Sequence, residues 1–113
     1  MFISLLALAA ATTAPPPVRT RPLRNLASYV QDGDWPRGVA SNFRGTTEFS
    51  LTIDASGRVT ACEIIQSSGS ALIDATTCRI LRLRARFSPA RDAANHPVAD
   101  TVSNSIGWFG GGG

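Results

Sequence analysis

Residues 46–66 read TTEFSLTIDASGRVTACEIIQ, and this stretch decides the fold. In its first half Phe49, Leu51 and Ile53 alternate with Glu48, Ser50 and Thr52, the period of a strand with one face buried. Asp54-Ala55-Ser56-Gly57 is a turn, with Gly57 available for positive φ, and RVTACEIIQ returns as a second strand. The two make an antiparallel hairpin. With Cys62 and Ile64 directed to the core, Ala61, Glu63 and Ile65 lie on a wetter face.

Towards the carboxyl end, Ser70 is an N-cap after a Ser-Ser-Gly turn, and ALIDATTCRILRLRARF (71–87) has the length and composition of a helix. At 100° per residue Ala71, Ala75, Cys78, Leu81 and Ala85 share the face expected to meet the sheet. Leu72, Ile73, Ile80 and Leu83 would cover a second surface near Leu26 and Tyr29. Phe87 and Pro89 end the helix, ARDAANHP loops, and VADTVSNSIGWF returns as a third strand with Val102, Ile106 and Trp108 on one side. Towards the amino end, Leu23, Leu26, Tyr29 and Val30 suit a short helical turn, and PRGVASNF suits a helix from Pro36 to Phe43 before Gly45 resets the chain. The expected class is therefore α+β: a three-stranded antiparallel sheet packed by one main helix, with a short N-terminal helix.

The remaining sequence flanks one small domain. Residues 1–14 open with an apolar run of about ten residues, the length of a signal-peptide core and too short to span a bilayer. Ala9-Ala10-Ala11 offers a cleavage pattern, although no Lys or Arg precedes the run. The alternative is an apolar first segment that packs on the domain. Residues 15–24, containing PPPVRTRP, are expected to be a mobile Pro/Arg linker. The domain itself takes 25–109, and 110–113 is a glycine tail.

Two cysteines in a small exported chain point to a disulfide between Cys62 and Cys78. A zinc site needs about four ligands, which Cys62, Cys78 and the single His96 cannot supply, and no C-x-x-C redox motif is present. No cofactor is implied. His96, with no nucleophile elbow, second histidine or carboxylate pair beside it, does not form a catalytic set, and the Ser-Ser-Gly turn lacks the glycines of a phosphate loop. A net charge of +3 is modest and its basic residues are all arginine. Arg79, Arg82 and Arg86 read as a solvated stripe. A nucleic-acid module would need aromatics interleaved with basic residues on the sheet. The strands carry Thr, Ser and Glu there instead, so no nucleic-acid partner is expected.

Several of these pieces together resemble the C-terminal domain of the TonB family, periplasmic proteins that carry inner-membrane energy to outer-membrane transporters. They are the Asp34-Trp35-Pro36 stretch where the family usually has Tyr-Pro, the hairpin from Gly45 to Val59, the block from Cys62 through Ser67-Ser68-Gly69-Ser70 to Thr77-Cys78-Arg79, and RARFSPA at the helix end. The likeness runs from about Asn25 to Phe109. It implies an αββαβ order, no catalysis, and capture of an extended peptide by strand addition along the last strand. That peptide would be the TonB box of a TonB-dependent outer-membrane transporter. Carried over, Trp35 and Pro36 are the aromatic-proline contact, and Asp100, Val102, Asn104, Ile106 and Trp108 mark the edge strand. Proline at Val102 is the change expected to remove an edge donor.

The linker of about eight residues reaches about 25 Å as extended polyproline, so this chain is not expected to transduce energy across the periplasm alone. A homodimer paired through the same edge is the competing expectation.

Overall fold

The computed structural model describes residues 17–110. The leader at 1–14, the first prolines of the linker and Gly111–Gly113 of the tail lie outside the described residues. The elements are β1 (Arg21–Pro22), 3₁₀ turns at Leu26–Tyr29 and Asp32–Asp34, β2 (Arg44–Ile53), β3 (Val59–Gln66), α1 (Ala71–Arg84), β4 (Phe87–Ser88), β5 (Ala90–Arg91), β6 (Pro97–Val98) and β7 (Asp100–Phe109). The main sheet is antiparallel in the order β3-β2-β7, so the hairpin strand β2 is central and the other two are edges.

The hairpin forms where expected and β2 is buried as its alternation predicts, whereas on β3 Cys62 is only half-buried and Ile64, expected in the core, is exposed, the ladder there being broken by register shifts. Phe49, Leu51 and Ile53 are fully buried, and the connecting turn closes through Gly57 N–H to the Asp54 carbonyl at 2.9 Å with Gly57 at φ +88°. Asp54 Oδ1 also accepts from the main-chain N–H groups of Ser56 and Arg58, an Asx arrangement that satisfies donors the turn would otherwise leave open. Ser70 caps α1, its Oγ accepting from Ile73 N–H at 3.2 Å. Cys62 and Cys78 are bridged, with Cα atoms 5.6 Å apart, fastening β3 to α1.

Five expectations are corrected. Of the α1 face expected to meet the sheet, Cys78, Leu81 and Ala85 are buried but Ala71 and Ala75 are exposed, and Ile73, Thr77 and Ile80, all fully buried, take the place of those two alanines. Burying branched apolar side chains outweighs the closer approach that a small-residue stripe would allow. The helix stops at Arg84 rather than Phe87, because Phe87 and Ser88 leave it to pair with Pro22 and Arg21. No helix forms over 36–43. Gly38 sits at φ +89° there, and isolated turns closed by Val39 N–H to Pro36 and Phe43 N–H to Ala40 replace it. The N-terminal helical expectation survives only as the four-residue 3₁₀ turn Leu26–Tyr29, capped by Asn25 Oδ1. With the two small pairings β1–β4 and β5–β6 added, the order is richer than αββαβ.

The linker also departs from expectation over its described part. Val18 exchanges both main-chain hydrogen bonds with Arg91 at 2.9 Å, and Leu23 N–H donates to the Arg86 carbonyl. Thr20, 4% exposed, donates from Oγ1 to the Ser88 carbonyl at 2.7 Å. Residues 18–23 are thus pinned along 86–91 as an added strand. The linker's composition gave no hint of this, since the bonds are main-chain ones that any sequence can make.

Candidate partner-binding site

The last strand runs beside β2 for ten residues without a register break, from Asp100 opposite Ile53 to Phe109 opposite Arg44. Just past it, Gly110 N–H donates to the Phe43 carbonyl at 2.8 Å, in the same register. Hydrogen-bonded pairs in an antiparallel ladder recur every second residue. Asp100, Val102, Asn104, Ile106 and Trp108 therefore turn their main-chain groups towards β2. Those of Thr101, Ser103, Ser105, Gly107 and Phe109 face away from it, along the open edge. The side-chain bonds agree with this phase: Arg19 Nη2 reaches the Thr101 carbonyl at 2.7 Å, while Thr101 N–H and Ser105 N–H are each taken at 2.8 Å by the preceding Asp100 Oδ1 and Asn104 Oδ1. Among the described residues the outward groups of Ser103, Gly107 and Phe109 have no such partner.

Each expected site residue can now be placed. Val102 is half-buried on the core side and its N–H points inward to Leu51, so it is not the edge donor the sequence suggested. Asn104 is exposed and covers its neighbour's donor. Ile106 and Trp108 are 3% exposed, with Trp108 Nε1 donating to Thr77 Oγ1 at 2.9 Å. Trp35 packs edge-on against Trp108, ring centroids 5.8 Å apart, and its Nε1 donates to the Val39 carbonyl at 3.1 Å. Pro36 is half-buried. Asp100 is drawn away to the opposite end of the strand, where Arg19 and Thr20 hold it.

Beside the open edge lies a cavity of about 360 Å³, lined by Ala27, Val30, Gln31, Asp32, Trp35, Ser41 and the strand end Ile106–Gly110. Its far wall is the pair of 3₁₀ turns, and Arg84 fixes that wall to α1. The guanidinium makes a two-armed pair with Asp34, Nη1 to Oδ2 at 2.6 Å and Nη2 to Oδ1 at 2.9 Å, and also donates to the Tyr29 carbonyl. The hydrogen bond from Arg84, against the opposing cost of burial, holds the Asp34 carboxyl below its ordinary range. Phe109 forms the cavity mouth, 58% exposed, with the Arg44 guanidinium over its ring at 4.9 Å.

Sequence reasoning found the aromatic pair and the strand but missed Arg19, Ser103, Gly107 and Phe109. Which half of a strand's amides faces outward depends on its neighbour and register, and no side-chain pattern reveals that directly.

Among the described residues no group of three or more His, Cys, Asp or Glu could hold a metal, and no helix is long and apolar enough to cross a membrane. His96 lies exposed in the β5–β6 loop beside Asp92.

A hairpin, a helix packed on it and one regular edge strand beside an aromatic-walled cavity make up a small α+β domain. The chain belongs to the family of Gram-negative bacterial TonB protein C-terminal domains, whose model matches residues 36–108. Domains of this family are non-catalytic protein-interaction modules of the periplasm, and they engage proteins such as outer-membrane transporters. No curated protein matches the chain.

Proposed function

We propose that the protein is a periplasmic, non-catalytic binding module that captures an extended peptide by strand addition at the outward edge of Ser103–Phe109. The expected partner is a TonB-box-like segment of an outer-membrane transporter, which links the module to envelope transport. The observation that carries the reading is the coincidence of unpartnered main-chain groups at Ser103, Gly107 and Phe109 with the cavity walled by Trp35. A strand laid there gains main-chain hydrogen bonds along the edge, and its side chains on the core side meet Ala27, Val30 and Trp35. Trp35, Ile106 and Trp108 act as the floor and wall; Pro36 sets the entry of Trp35. The opposite face of the sheet offers Thr101, Ser103 and Ser105, all exposed, so partner side chains on that side stay in water.

The same edge could receive a second copy of the chain, and the exposed Phe109 favours this as the second reading. An NMR titration of the oxidised chain with a panel of TonB-box peptides, and separately with itself over a concentration range, tests both. Peptide-induced shifts at Ser103, Gly107, Phe109 and the Trp35 indole support capture. Shifts with self-concentration alone replace it by pairing.

A further inference from the structure

The N-terminal end of the edge strand is unlike its middle. Arg19 reaches across from the strand formed by 18–23 and makes two contacts at once, Nε to Asp100 Oδ2 at 2.7 Å and Nη2 to the Thr101 carbonyl at 2.7 Å. Thr20 N–H adds a third bond to Asp100 Oδ2 at 3.0 Å, and the Thr20 side chain is anchored on Ser88. The Thr101 carbonyl is one of the outward acceptors of the edge, and its N–H is already taken by Asp100. Both outward groups of Thr101 are therefore occupied from within the chain, whereas those of Ser103 two residues on are not.

We infer that Arg19 is an end-stop which fixes the length and register of the docked strand. This rests on the strand-addition reading and deepens it. A peptide on the edge finds hydrogen-bonding groups from Ser103 to Phe109, with the Ser105 N–H alone taken by Asn104 Oδ1, about seven positions or roughly 23 Å of strand. Beyond Ser103 it meets a guanidinium already bonded to the acceptor it would need. The cavity by Trp35 and Phe109 lies at the other end, so the site is bounded on both sides and selects a short extended segment with a large apolar side chain at its cavity end. Arginine suits the role because its rigid planar fork holds a carboxylate and a carbonyl in fixed directions, whereas lysine presents a compact, strongly hydrated charge on a flexible stem. The absence of any such cover on Ser103 is what makes the boundary sharp.

The test uses the full oxidised chain and a TonB-box peptide of about seven residues, together with two versions lengthened by about four residues at one end or the other. With the native chain neither extension changes the Kd by more than about twofold. With Arg19→Ala one of the two lengthened peptides gains about fivefold, the value of roughly one net main-chain hydrogen bond, and its binding now shifts the Thr101 amide. Arg19→Lys behaves like Arg19→Ala. A lengthened peptide that already gains on the native chain, or gains on neither, overturns the end-stop while leaving strand addition intact. If no short peptide binds the native chain at all, strand addition itself fails and the end-stop falls with it.

Discussion

The two edges of the main sheet are built differently. On β3 the register against β2 slips twice within eight residues, and a disulfide fastens the strand to α1. On β7 the ladder runs through ten residues without a slip, and the outer edge is covered only at Thr101 and at the Ser105 N–H. Bulges are a common way to keep an edge from recruiting another strand. The contrast lies in the main chain: a regular, uncovered edge leaves a row of N–H and C=O groups in line for another strand, and a bulged one does not.

The sharpest way to break this contrast is a pair of prolines one residue apart. Val102→Pro removes an N–H that bonds β2 and is expected to cost about 3 kcal/mol or more, enough to unfold a marginal domain. Ser103→Pro removes an outward N–H and is expected to cost about 1 kcal/mol or less, as proline is tolerated on the open side of an edge strand. Urea unfolding followed by Trp fluorescence separates them. Equal losses would mean that the edge phase derived from Gly110 and Phe43 is wrong. Peptide binding supplies the complement: folded Ser103→Pro protein should lose it.

Next in size is the staple on the other edge. Replacing Cys62 and Cys78 by alanine opens a closure of 16 residues and should lower stability by about 3 kcal/mol on the chain-entropy estimate. Because the bridge fastens β3, the edge opposite β7, peptide affinity measured below the melting temperature should stay within about twofold. A parallel loss of affinity would show the two edges to be coupled through α1.

How much of this could be read from the residues alone divides along the same line. The hairpin, the helix with its Ser70 cap, the third strand and the cysteine pair all announce themselves through side-chain period, turn chemistry or count. The buried face of α1 was legible only in part: Cys78, Leu81 and Ala85 were expected and are buried, but Ile73, Thr77 and Ile80 stand beside them in place of Ala71 and Ala75, a choice made by the sheet rather than by the helix. The Pro/Arg segment was opaque for a different reason: its docking is main-chain pairing, closed by one arginine that resembles every other arginine in the chain. At the site, Trp35 and Trp108 were legible as aromatics in strand or turn positions. The donors of Ser103, Gly107 and Phe109 were not, since their outward direction follows from a register fixed by Phe43 and Gly110.

A smaller effect is expected at the cavity wall. Arg84→Ala leaves the Asp34 carboxylate, 10% exposed, without its two-armed partner and should cost about 2 kcal/mol, in the range for hydrogen bonds to charged groups. The 3₁₀ turns would then hold Trp35 less firmly, giving a red-shifted and more quenchable indole signal and weaker peptide binding with the β7 amides unmoved. Arg84→Lys should recover only part of both. If Trp35 stays as shielded as before, the wall is held by its apolar contacts and the ion pair adds nothing to the site.

The smallest effect reads the covered end of β7. The hydrogen bond from Arg19, opposed by burial and assisted by the N–H groups of Thr20 and Thr101, lowers the Asp100 carboxyl to about 2. An unfolded aspartate titrates near 3.9, so the folded chain holds the proton less readily than the unfolded one. The resulting stability is complete above about pH 4 and is lost as the pH falls towards about 2. Arg19 is largely exposed, and with solvent screening the contribution is roughly 1 kcal/mol. Asp100→Asn should therefore lower stability at neutral pH by about that amount and flatten the loss between pH 4 and 2. The cysteine replacement, which touches no titrating group, should displace the whole curve without changing its slope. Chemical unfolding at several pH values distinguishes the two behaviours, and an unchanged acid slope in Asp100→Asn would show that Arg19 and Asp100 do not hold each other in solution.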